Sequence, residues 1–187
     1  MSVKIDYYKE FIDEIVSEVE ELEFDSDEDL YIELDLSKYN STENLEGIEW
    51  YDCLDLNIRD SFTIDLSEKN PSNISLKTVK YISENIDQII ENACKYICKN
   101  EKLIKIYEAF DAEKQYGIPI YEDYKLATRH FYIDKIYIHK EEKDGYKYFG
   151  LKGKCNWDSG HGIGILFYKD EVKILGDWDD AACCRIN

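Results

Sequence analysis

Asp158 and His161 stand three residues apart in Cys155-Asn156-Trp157-Asp158-Ser159-Gly160-His161-Gly162-Ile163-Gly164, a loop that runs into the apolar segment Ile165-Leu166-Phe167-Tyr168. A carboxylate that orients an imidazole is how general bases and metal ligands are built. As a catalytic constellation the pair is incomplete. No Ser or Cys occupies a recognisable nucleophile position, and Ser159 lacks the strand-turn-helix setting of a nucleophile elbow. The competing reading, which these residues favour, is structural. Asp158 and His161 hydrogen-bond the loop backbone, while Gly160, Gly162 and Gly164 permit tight turns and close packing.

Other groups of reactive side chains fall further short. A zinc site would draw on Cys155, His161, Cys183 and Cys184, with His130 or His139 in support. Tetrahedral sites normally use two short Cys/His pairs at regular spacing, and Cys183-Cys184 has no spacer. Cys94 and Cys98 are one helical turn apart and read as packing. Asp177, Asp179 and Asp180 alternate around Trp178 without the ordered oxygen series, glycine and terminal glutamate of a calcium loop, so a solvated acidic turn is expected. Gly160-His161-Gly162-Ile163-Gly164 leads into a strand-like segment, not a helix N-terminus, which excludes a phosphate loop. No metal and no cofactor are expected.

The elements that must hold these residues are readable from periodicity. Residues 4–23 place Ile5, Tyr8, Ile12, Ile15, Val19 and Leu22 at gaps of three and four, an amphipathic helix, before an acidic run through Asp29. Three alternating stretches follow, at 30–36, 54–59 and 62–66, each with one polar face, as antiparallel strands have. Trp50 would anchor the entry to the second, and Arg59-Asp60-Ser61 would turn it into the third. Ser75 offers an N-cap to a long helix striped by Leu76, Val79, Ile82, Ile86, Ile90, Ala93 and Ile97. Lys99-Asn100 interrupts it, and a second helix is expected over 101–114, ended by Gly117 and Pro119. Beyond a linker through Tyr124, strands are expected at 131–139, 146–151, 163–168 and 172–175, with a hairpin at Lys143-Asp144-Gly145. The fold class is α+β: antiparallel strands packed against a long helix pair, with an additional N-terminal helix. One domain is expected over 1–187, in two parts, 1–70 and 75–187, whose strands form either one sheet or two.

The composition limits the partners. With 41 acidic against 23 basic residues the formal net charge is −18. Phosphate neutralisation needs clustered Lys and Arg, so a nucleic-acid-binding surface is excluded, and an anionic membrane is disfavoured. Solubility alone could account for the charge; the sharper reading is a surface complementary to a basic protein. The first residues show no basic-then-apolar leader, no apolar run reaches membrane-spanning length, and the six cysteines are not placed as a disulfide framework. Reduced thiols and a cytoplasmic location are therefore expected.

The loop also resembles the C-terminal signature of an uncharacterised bacterial domain family. That signature reads Trp-Asp-x-x-His-Gly-x-Gly, an apolar strand, a turn, then an apolar pair leading to Gly-x-x-Asp. Here it falls on Trp157-Asp158, His161-Gly162, Gly164, Ile165 to Phe167, Val172, Gly176 and Asp179, with the resemblance covering roughly residues 75–182. The family commonly has a glutamate just before the histidine, where this chain has Gly160. Such small acidic domains resemble the immunity proteins of bacterial polymorphic toxin systems. The resemblance thus implies a non-enzymatic protein that binds a basic toxin domain and occludes its surface. Tyr31, Glu33, Asp35 and the Asp177-Trp178-Asp179-Asp180 turn are the expected contact residues. The alternative is a metal-assisted or acid/base hydrolase using Asp158 and His161. The sequence leaves the oligomeric state open.

Overall fold

The apolar stripe after Pro71 begins where a serine can cap it. In the computed structural model, Ser72 Oγ accepts the Ser75 backbone N–H at 3.2 Å and opens α1, Asn73–Lys99. The cap is therefore Ser72, not Ser75, because Ser75 is buried in the first turn and its own amide needs the acceptor. Asn100 closes the helix by donating its N–H to Ile97 O. The structure describes Lys9, residues 12–14, Ser17, residues 31–35, 61–67 and 72–100, Tyr124, Ala127, and residues 130–155, 157–158 and 160–186, excepting the side chains of residues 31–35 and 61–62.

Six strands form one sheet in chain order: β1 (Tyr31–Asp35), β2 (Ser61–Asp65), β3 (Phe131–Lys143), β4 (Tyr146–Cys155), β5 (Ile163–Tyr168) and β6 (Glu171–Gly176). The two strand clusters on either side of α1 are thus halves of a single sheet. Every neighbouring pair is antiparallel except β2 and β3, which run parallel with Ile64 opposite Ile136. The expectation of wholly antiparallel strands is corrected there. A long crossover containing α1 separates β2 from β3, and such a connection can return the chain in the same direction, as a two-residue turn cannot. Asp144 and Gly145, both at positive φ, make the tight turn from β3 to β4.

Period-two alternation divides the sheet into two faces. On one, Ile64, Ile136, Ile138, Phe149, Leu151, Ile165 and Phe167 join Val79, Ile82, Ile86, Ile89, Ile90, Ala93 and Ile97 of α1 in the main core. Phe149 and Phe167 are cross-strand partners with rings stacked at 5.3 Å. Ile12 is fully buried in the same core, and Lys9 and Asp13 hydrogen-bond Ser83 of α1, so the described N-terminal residues, which are helical, pack on α1. The opposite face has a smaller cluster of Tyr148, Leu166 and Tyr168, with Tyr146, Ile174 and Cys184 against it. The short helix α2, Trp178–Ala182, follows β6.

The architecture is α+β, a mostly antiparallel sheet with helices. The long helix pair is not shown: α1 is the one long helix among the described residues. The expected second helix over 101–114, the strand at 54–59 and Trp50 lie outside them. No helix among the described residues is long and apolar enough to cross a membrane.

Candidate functional site

The loop between β4 and β5 is organised by the Asp158 carboxylate. Its Oδ1 accepts the backbone N–H of Gly160 at 3.2 Å and of His161 at 2.9 Å, an Asx-type turn. The Asp158 carbonyl accepts the Gly162 N–H at 2.8 Å and the Cys155 thiol at 3.6 Å. Burial pushes that thiol up to about 12, so Cys155 is a protonated packing group. Trp157 is buried edge-on to Phe131, with ring centroids 6.4 Å apart.

Asp158 and His161 do meet, with Nδ1 3.3 Å from Oδ1, but the imidazole side chain is 75% exposed. Its backbone is engaged: the His161 carbonyl accepts the Trp178 N–H at 3.1 Å, tying the loop to α2. Trp178 lies half-buried, its Nε1 donating to Gly153 O at 2.6 Å and its ring 5.0 Å from the Lys152 ammonium.

Asp177-Trp178-Asp179-Asp180 opens a helix rather than forming the turn expected from its charge, with Asp177 and Asp179 still exposed. Asp177 is the N-cap of α2, and Asp180 returns the bond to the Asp177 N–H, closing a capping box. Carboxylates at this end also complement the helix dipole, which is why an acidic run forms a helix here. Two of the expected partner contacts therefore hold their own backbone.

Glycines make this docking possible. Gly164 and Gly176 are directly opposed on β5 and β6, and a Cβ on either would lie 1.8 Å from Asp177 O or Asp180 Oδ2. A Cβ on Gly150 of β4 would come within 2.0 Å of Ala181 O. Gly162, at φ +62°, lies beneath the Trp178 indole. Gly160 alone in the loop has room, its nearest neighbour being Asp158 Oδ1 at 3.7 Å. The signature glycines thus form a floor on which α2 rests, and the spare room falls at Gly160.

The cysteine and histidine candidates for zinc are dispersed. Cys155 and His130 are buried, Cys183 is exposed, Cys184 is half-buried, and His139 is committed to the α2 backbone. Among the described residues no group of three or more His, Cys, Asp or Glu could hold a metal ion. Cys94 and Cys98 belong to the core around α1. Tyr31, Glu33 and Asp35 occupy alternate positions of β1, in register with Asp65, Thr63 and Ser61. Their side chains lie outside the described residues.

Residues 30–182 match the model of the family described as Domain of unknown function (DUF6985). The chain belongs to that family. No curated protein and no solved structure matches it. The DUF6985 match starts one residue before β1 and ends on Ala182, the last residue of α2, so the whole sheet and its docked helix lie within it.

The structural roles of three residues of this DUF6985 chain, Gly150, Gly153 and His139, escape sequence reasoning. Gly150 and Gly153 sit inside a strand, and a glycine there is the usual mark of a close backbone approach, so that signal was present. His139 gave none. It is a buried imidazole 2.9 Å from Ala181 O, and since a carbonyl only accepts, Nε2 carries the proton. Burial lowers its pKa, outweighing the Ala181 bond and the charges of Glu141 and Asp65.

A pH dependence follows. The unfolded chain takes up a proton near the ordinary histidine value, about 6.5, while the folded chain resists it. His139's contribution to stability is therefore complete above that range and falls as pH drops through it, until the folded imidazole also protonates. Burial raises Asp134, at the β3 bulge, despite Lys152, Lys154 and Lys135; its contribution has the opposite sign, present at low pH and lost as pH rises through the raised value. Denaturant midpoints at about pH 7.5 and 5.5, above and below the histidine range, isolate the first effect when the parent is compared with His139→Gln, which shares Asp134. The parent is expected to lose stability on acidification, and His139→Gln to lose clearly less. Equal losses would show that His139 is not the group responsible.

Proposed function

We propose that this protein is a non-enzymatic binding protein, a bacterial immunity protein that neutralises a cognate toxin by occluding its basic surface. The observation that carries the reading is where the charge sits. Residues 1–70 hold 22 carboxylates against five basic side chains, residues 71–130 nine against nine, and residues 131–187 ten against nine. The net charge is thus concentrated in one third of the chain, −17 of −18, instead of being spread for solubility. Such a field speeds and orients encounter with a basic partner, while desolvated aromatic anchors supply affinity. Glu33 and Asp35 belong to that acidic third. Asp177 and Asp180, engaged in the α2 cap, do not, which moves the proposed contact surface to the N-terminal third.

The hydrolase alternative retains one supporting contact, Asp158 to His161. A general base works best where water is excluded, and this imidazole stands in solvent on a loop whose carboxylate already serves two backbone amides. The binding reading is preferred.

The test is capture of a partner from native lysate at low salt, followed by association kinetics with that partner. A basic protein that arrests growth when expressed alone, and is relieved by co-expression, is the expected partner. Its association rate should fall at least tenfold between low and physiological salt, with dissociation little changed. A partner that is harmless alone, or whose association ignores salt, would overturn the proposal.

A further inference from the structure

Cys183 and Cys184 follow α2 directly, just past the family match, and the function proposed above does not use them. Their surroundings differ sharply. Cys183 is the C-cap of α2 and exposed. Cys184 packs against Tyr148, Leu166 and Tyr168, and its thiol donates to the Glu141 carboxylate; burial and that carboxylate push it up to about 12. One thiol thus faces solvent while its neighbour is held protonated against the sheet.

We propose that Cys183 and Cys184 are a reversible oxidation site, closing into a vicinal disulfide that releases the end of α2 from the sheet. Adjacent Cα atoms lie about 3.8 Å apart, nearer than the roughly 4.4–6.8 Å of ordinary disulfides, so both sulfurs must turn to the same side. Cys184 cannot do this while it remains against Tyr148, Leu166 and Tyr168. Oxidation and docking of this segment therefore exclude each other, and the strained ring is easily reduced again.

The oxidant is a low-molecular-weight disulfide such as glutathione disulfide. The Cys183 thiolate attacks one of its sulfurs, expelling one glutathione thiolate and leaving a mixed disulfide on Cys183. Cys184 then leaves the cluster, gives its proton to water and attacks Cys183 Sγ, expelling the second glutathione thiolate. Two cysteines are oxidised by two electrons, and one glutathione disulfide is reduced to two thiols.

The test incubates the full chain with glutathione disulfide, blocks remaining thiols by alkylation, and reads mass and amide exchange. The expected product lacks two hydrogens in the peptide holding Cys183 and Cys184, with exchange of the 181–185 amides raised about tenfold. Cys183→Ser and Cys184→Ser, each first shown by circular dichroism to be folded, should each abolish the two-hydrogen loss. Both thiols remaining alkylatable would overturn the proposal, as would a stable mixed disulfide on Cys183 or a cross-link between two chains. A vicinal bond formed without faster exchange would overturn the coupling to α2.

Discussion

Phe149→Ala is expected to lower stability by about 3–5 kcal/mol, read as a fall in the urea midpoint with an unchanged slope. Phe149 is fully buried, stacks on Phe167 across β4 and β5, and belongs to the core that α1 covers. Truncation removes its transfer energy and leaves a cavity that a close-packed sheet-helix interface refills poorly. A domain of this kind has about 5–15 kcal/mol in all, so a large share of the folded margin would go. Tyr148→Ala, one residue earlier, supplies the contrast. Tyr148 faces the smaller cluster on the other side of the sheet, retains some exposure and pairs with Tyr168 at 4.9 Å. Its loss should cost less. If Tyr148→Ala cost as much as Phe149→Ala, the assignment of the main core to the α1 face would be wrong.

How much of this was legible beforehand depends on the length over which a pattern repeats. The α1 stripe from Val79 to Ile97 spans several turns, and the strands at 131–139 and 163–168 alternate or run apolar long enough to be read. Strand direction is a different matter. Alternation gives a face and not a sense, so nothing in Thr63-Ile64-Asp65 announces that it pairs with Lys135-Ile136-Tyr137 in parallel. α2 was missed for another reason: five residues are too few to show a period, and three aspartates looked like solvated charge. The cue that was available is Asp177 followed three residues later by Asp180, a capping-box spacing. The candidate site was half legible. Asp158 and His161 were expected to bond the loop backbone, and the contacts with Gly160, His161, Gly162 and Trp178 have that form. What that loop is for, holding α2 through the Trp178 amide and indole, depends on residues from β3, β4 and β6 that are distant in sequence.

Gly164→Ala should be among the most damaging single methyls that can be added to the signature, on the order of 3 kcal/mol. The added Cβ would lie 1.8 Å from the Asp177 carbonyl and 2.8 Å from the Ala181 amide, both backbone atoms that no rotamer change can move. α2 must therefore lift. As it does, His139 loses its acceptor at Ala181, Trp178 Nε1 loses Gly153 O, and the capping segment separates from β6. Leaving a buried donor such as His139 unsatisfied costs about 1–3 kcal/mol, which adds to the steric displacement. Gly160→Ala, four residues earlier in the loop that leads into β5, is the matched control. Its Cβ would meet only Asp158 Oδ1 at 3.7 Å and its backbone is not in the left-handed region, so it should be neutral or stabilising by up to about 1 kcal/mol. The measurement is the pair of denaturant midpoints, with amide exchange of residues 178–183 as the local readout. A large loss for Gly164→Ala with fast exchange confined to α2, beside an unmoved Gly160→Ala, would establish the glycine floor as the reason for the spacing. Equal effects at the two positions would mean that the loop's conformation, and not the seating of α2, is what these glycines serve.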